Sequence, residues 1–217
     1  MPGRSTSRDE ILGRIRAANG ATTTLEEAGT AWLSIARPYR RNSSDDAEGI
    51  LELLEDRLRD YDAHVLRTSR AGVGEAIAGR LSARGGLRMI MPAGIPADLL
   101  PDGTAIPLDE GMAAAELDGY EGVLTTAQLA IAETGTIVLQ NVAGQGRRAV
   151  SLVPDYHLCL VDQANVVATV PEAMDRLQAT AGLPTTFISG PSATADIEMT
   201  RIKGVHGPRF LDVILYA

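Results

Sequence analysis

With 217 residues, a formal charge of −8, and 45% hydrophobic against 22% charged residues, the chain has the composition of one globular domain with a full core. The acidic balance argues against a nucleic-acid backbone as main partner, and no apolar run approaches the roughly 18 residues that a membrane span needs. Cys159 is the only cysteine, which excludes an intrachain disulfide and a cysteine-ligated iron–sulfur cluster built within this chain, and the start MPGRSTSRDE lacks the apolar core of a signal peptide, so the expected setting is cytoplasmic.

Ser7-x-x-Glu10 predicts a capping box, with Ile11, Leu12, Ile15 and Ala18 on one stripe of the helix behind it and Asn19-Gly20 at its end. Residues 21–44 predict an irregular connection, so 1–44 is expected as a helical arm and 45–217 as the α/β domain. The run Arg37 to Arg41 within that connection is expected as a solvated loop. Asp45-x-x-Glu48 predicts a second capped helix, carrying Ile50, Leu51, Leu54, Leu58 and Tyr61 at helical spacing and Arg57 and Arg59 near its end. A strand near His64 to Arg67, a helix over 74–83 and a strand over 87–91 form a strand–helix–strand unit of a parallel sheet. Residues 95–117, rich in Pro and Gly, predict short elements only. Thr125-x-x-Gln128 predicts a short helix with Leu129, Ile131 and Ala132 on its apolar side and Gly135 as its cap. Strands follow at 136–139, 149–153, 157–161, 185–189 and 211–215, with a helix opened by Pro171 before the last two. The whole predicts an open, mostly parallel α/β sheet whose later strands are free to run antiparallel.

Several groups carry chemistry. Glu133 would sit at the negative pole of its predicted helix, unfavourable by roughly 0.3–1 kcal/mol if ionised and unpaired. Beside Thr134 and Gly135 it is a candidate general base or nucleophile, against the plainer reading of a salt-bridged surface residue. Gly144-x-Gly146-x-x-Ala149 matches a dinucleotide fingerprint by letter, but β-like residues follow it where a helix should open. Arg147 and Arg148 in that segment are candidates for gripping a carboxylate or phosphate. His157 and Cys159, two apart on a strand, share a face, yet two residues do not make a metal site and a buried cysteine is usually a small hydrophobe. Gly190-Pro191-Ser192-Ala193-Thr194-Ala195-Asp196 follows a strand, and its hydroxyls and backbone N–H groups suit an anion, or else form a structural turn. His206, between Gly204 and Gly207, is the best candidate for proton transfer near neutral pH, with Asp196 as its possible orienter. The nucleophile elbow G-x-S-x-G is absent.

The run GPSATADIE (190–198) followed by GVHGP (204–208), with AIAETGTIVL (130–139) and GRRAVSLVPDYHLCLVD (146–162), resembles the signature of the lactate-utilisation protein C family (LutC/YkgG), the LUD domain. The resemblance implies the Rossmann-like fold shared with glucosamine-6-phosphate deaminase, ribose-5-phosphate isomerase and CoA transferases. It places Glu133 loosely like the catalytic glutamate of the last of these. It also implies a cytoplasmic component of an L-lactate utilisation system, supporting oxidation of L-lactate to pyruvate with two iron–sulfur partner proteins. No cofactor or metal is expected in this chain, the clusters being the partners'. Two rivals follow: an independent enzyme on a small carboxylate, sugar phosphate or acyl thioester using Glu133, Asp196 and His206, and a non-catalytic assembly subunit.

Overall fold

The structure, a computed structural model, describes residues 6–20, 23–103, 105–194, 202–204 and 206–217. It divides into two units, Met1–Tyr39 and Arg40–Ala217.

The first unit holds α1 (Ser7–Asn19) and α2 (Leu25–Ser34). The box capping α1 is Thr6 with Asp9, one residue before the expected Ser7 and Glu10. The stretch expected to be irregular contains α2, opened by the capping box Thr24–Glu27. Neither helix buries a side chain.

The second unit begins with α3 (Ala47–Asp60), capped by Asp46, whose carboxylate accepts the Gly49 N–H at 2.8 Å, rather than by Asp45. There follow β1 (His64–Thr68), α4 (Val73–Ala83), β2 (Met89–Ile90), α5 (Ala114–Leu117), β3 (Gly122–Thr126), β4 (Leu129–Ile131), β5 (Thr136–Gln140), β6 (Tyr156–Asp162), β7 (Val166–Val167), α6 (Val170–Leu177), β8 (Thr185–Ile188), β9 (Ala193–Thr194), β10 (Ile202–Lys203) and β11 (Phe210–Tyr216). No helix among the described residues is long and apolar enough to cross a membrane.

One sheet has the order β1-β11-β6-β3-β2 and is parallel throughout. Its central strands β6 and β11 are buried on both faces, which is why they read as unbroken apolar runs. A second sheet, β7-β4-β5-β8, is mixed: β4–β5 and β5–β8 are antiparallel and β4–β7 parallel. Alternation along β6 and β11 sorts their side chains between two cores. Cys159, Val161, Val213 and Leu215 pack with Leu54 and Leu58 of α3 and with Ile137 and Leu139 of the mixed sheet. Leu158, Leu160 and Ile214 pack with Val73 and Ile77 of α4. The outer face of the mixed sheet is covered by Ala173 and Leu177 of α6.

The parallel α/β plan is as the sequence suggests, but three local expectations fail. No helix spans 125–132: β3 ends at Thr126 and β4 starts at Leu129, and Gly135, at φ 57°, sits in the turn joining β4 to β5. Leu129, Ala130 and Ile131 are all buried, and a short run buried on every side has no period to tell a helix from a strand. Residues 149–153 form turns, with Val150 buried as a plug rather than in a ladder. The strands at 185 and 210 belong to different sheets.

One carboxylate is buried within the α4 side of the parallel sheet. Asp212, 1% exposed, accepts from Arg80 Nε at 2.6 Å, Arg84 Nη2 at 3.1 Å and the Tyr156 hydroxyl at 2.9 Å. The Arg84 guanidinium lies over the rings of Tyr156 and Phe210, at 4.3 and 4.8 Å.

Candidate functional site

A cavity of about 240 Å³ opens at the amino ends of β6 and β11, on the face turned toward the mixed sheet. His157 and Leu211, the second residues of those strands, form part of its lining, and β8 forms another part. Ligands of open α/β sheets usually lie at the carboxyl ends of the strands. Here the cavity lies at the other end.

The two Gly- and Pro-rich breaks meet in its lining. Ser192 N–H donates to the Pro208 carbonyl at 2.8 Å, the Gly204 N–H donates to the Ser192 carbonyl at 3.0 Å, and the His206 N–H donates to Ser192 Oγ at 2.9 Å. Residues 193–194 and 202–203 pair as the antiparallel strands β9 and β10. These bonds bring Gly190, Ser192, His206 and Gly207 together around the cavity, while Gly204 serves the stitch through its backbone. Thr194 contributes its backbone to β9, and Asp196 lies outside the described residues.

The two arginines have separate fates. Arg147 is committed to Asp109 through two bonds of 2.8 Å and to the Met112 carbonyl at 2.5 Å, and the hydrogen bonds it donates hold the Asp109 carboxyl below the usual range. Arg148 lines the cavity. Its Nη1 donates to the carbonyl and hydroxyl of Ser151, both at 3.2 Å, and it has no carboxylate partner among the described residues. Burial alone draws its pKa below the usual arginine value.

Glu133 does not line this cavity. It stands exposed in the β4–β5 turn, paired with Arg40 Nη2 at 2.7 Å, so the helix-pole argument no longer applies to it. Its neighbours nevertheless reach the lining through hydroxyls: Thr134 Oγ1 lies 2.7 Å from Thr136 Oγ1, which lies 2.7 Å from Ser189 Oγ. Gly135 is pressed against α3, where an added Cβ would come within 2.8 Å of Arg57 Cβ.

His157 is the residue whose place the sequence undervalued. It is 1% exposed, and its Nε2 lies 2.8 Å from Thr125 Oγ1. The same hydroxyl donates to Cys159 Sγ at 3.6 Å. Thr125 and Cys159 are register partners on β3 and β6, so the three side chains form a buried polar row. Burial, aided by the positive charge of Arg148, pushes the His157 pKa down to about 4. Burial pushes the Cys159 thiol up to about 12, against the small opposing effect of the Thr125 bond, so it stays protonated and unreactive. The shared face of His157 and Cys159 was visible in their spacing. Thr125, expected from the sequence as a helix cap, carried no signal for this row, because only the β3–β6 register brings it there. Ser151 and Ser189 were equally silent.

His157 has a consequence for stability. An unfolded histidine titrates near 6.5, so at lower pH the unfolded chain takes a proton that the native imidazole refuses. The neutral ring's contribution is complete above about 6.5 and is lost as pH falls toward 4. Relative to His157→Gln, the wild type is expected to lose roughly 3 kcal/mol across that window. Urea unfolding of both proteins at a series of pH values checks this, and parallel curves would contradict it.

The lining thus offers a guanidinium, two imidazoles and three serine hydroxyls, and no carboxylate among the described residues. Arg148 gives that lining a positive group that suits a small anion, on a chain that is acidic as a whole. No group of three or more His, Cys, Asp or Glu able to hold a metal ion is found among the described residues.

The model of the LUD domain matches residues 98–216. A relative from Deinococcus radiodurans called lactate utilization protein C is 48% identical over 170 residues, covering 76% of this chain and 79% of its own. A protein of the same name from Bacillus velezensis is 24% identical over 229 residues, covering 96% of this chain and 95% of its own. A crystal structure of a DUF162 family protein from Deinococcus radiodurans is 42% identical, superposes with a TM-score of 0.69, and covers 80% of this chain and 99% of that one. With the family model matched over more than half its length, the chain belongs to the LUD domain family.

Proposed function

We propose that the chain serves lactate utilisation by holding a small carboxylate in the cavity between the two stitched breaks. The observation that carries this is Arg148, a guanidinium set beside two imidazoles, with no carboxylate partner and no carboxylate in the lining among the described residues. The names of the relatives supply the direction: a cavity for a small anion fits lactate or pyruvate. The reaction supported is oxidation of L-lactate to pyruvate, in which two electrons and two protons leave the substrate. The electrons pass to two iron–sulfur partner proteins in the cytoplasm; His206, exposed at the cavity, takes one proton and the other leaves to solvent.

The test is lactate-dependent reduction of an artificial electron acceptor by the two purified iron–sulfur partners, with and without this chain. Addition of the chain is expected to create or strongly raise the rate; an unchanged rate would sink the proposal. Arg148→Leu gives the second check. Losing a charge-assisted hydrogen bond of about 1.5–3 kcal/mol is expected to weaken L-lactate binding about 10- to 100-fold in calorimetry. Equal affinity for wild type and variant would place the anion elsewhere.

A further inference from the structure

We infer that the cavity tells a 2-hydroxy acid from its 2-oxo counterpart through one tautomer of His157, held by Thr125 and Cys159. This rests on the reading of the cavity as a carboxylate site. Thr125 occupies Nε2, so the ring nitrogen left for a ligand is Nδ1, which has no hydrogen-bond partner among the described residues. Whether Nδ1 donates or accepts is set by the proton order in the buried row.

Two orders satisfy the Thr125 hydroxyl. In one, Nε2–H donates to Oγ1 and the hydroxyl donates to the Cys159 sulfur. In the other, the thiol donates to Oγ1 and the hydroxyl donates to Nε2. The guanidinium of Arg148 lines the same cavity as the ring. A positive group there attracts a bare lone pair on Nδ1 and repels an N–H. The first order is therefore favoured, and Nδ1 is an acceptor.

An acceptor at that point needs a donor on the ligand. With its carboxylate on the unused N–H groups of Arg148, a 2-hydroxy acid can turn its hydroxyl proton to Nδ1. A 2-oxo acid brings only lone pairs, leaving two buried acceptors facing each other. The product of oxidation would then be held less tightly than the substrate, and the site would clear itself after each turnover. Thr125 acts here as a positioning residue and does not itself touch the ligand.

The experiment uses the full chain, labelled with ¹⁵N in histidine. Long-range ¹H–¹⁵N spectra are expected to show His157 with Nε2 protonated and Nδ1 bare. Calorimetry is expected to show L-lactate binding about tenfold or more tighter than pyruvate, the ratio one unpaired buried polar group commands. Thr125→Val, which keeps the branched shape, is expected to abolish most of that preference, and Thr125→Ser to restore it. A protonated Nδ1, equal binding of L-lactate and pyruvate, or an undiminished preference in a folded Thr125→Val protein would each overturn the tautomer inference and leave the carboxylate site standing. Binding of neither acid would remove both.

Discussion

Asp212→Ala is expected to destabilise the protein by about 3–5 kcal/mol, the usual result of removing one partner from a buried ion pair. The carboxylate is almost fully enclosed, and three donors converge on it: Arg80 of α4, Arg84 just past its end, and Tyr156 of β6. Without it, Arg80 and Arg84 keep partial access to water, at 21% and 23% side-chain exposure, whereas the Tyr156 hydroxyl is left in an apolar wall. The same enclosure, together with the Asp212 charge, raises the tyrosine's pKa, so its proton stays on to make the bond. Urea unfolding is expected to show a lower midpoint with an unchanged slope. A loss below about 1 kcal/mol would mean that water reaches the arginines and takes the carboxylate's place.

Gly190→Ala should damage stability and binding together. Gly190 has φ 85°, and an added Cβ would lie 2.4 Å from Cβ of Tyr61, just past the end of α3. The backbone contributes roughly 1–3 kcal/mol of strain. Overpacking against a side-chain root, which cannot swing away as a tip can, contributes about 1–3 kcal/mol more. The turn relieves this by moving off α3, and it carries Ser192 and the stitch to His206 with it. Thermal unfolding and L-lactate calorimetry on the same samples are expected to worsen in step. A destabilised variant with full affinity would show that the breaks hold the cavity independently of α3.

The parallel sheet was legible because β6 and β11 are covered on both faces and so announce themselves as long apolar runs. The meeting of the two Gly-rich breaks was not, since it depends on backbone bonds from Ser192 that any residue sequence could make. Glu133 shows how one wrong element misdirects chemistry. A buried tetrapeptide taken for a helix gave that carboxylate a dipole to oppose, whereas in the hairpin turn it has Arg40. The helix α2 was missed despite its Thr24–Glu27 box, because exposed apolar residues such as Leu25 and Trp32 gave no clean stripe. His157 was discounted because two residues, His157 and Cys159, do not make a metal site. Its importance comes from Thr125, 32 positions earlier, and from Arg148, neither of which periodicity can connect to it.

The position of β11 governs how the molecule can be made. β1 meets the parallel sheet only through β11, and β11 also flanks β6. As the chain leaves the ribosome, β1 and the helices beside it must therefore wait, unjoined, until residues 210–216 emerge. The mixed sheet can assemble earlier, because β8, the last of its strands, is complete by Ile188. Synthesis thus passes through a stage with one sheet formed and the other open along both β1 and β6. A stop or frameshift before Phe210 would release that stage as the final product, exposing the unpaired edges of β1 and β6 to other chains.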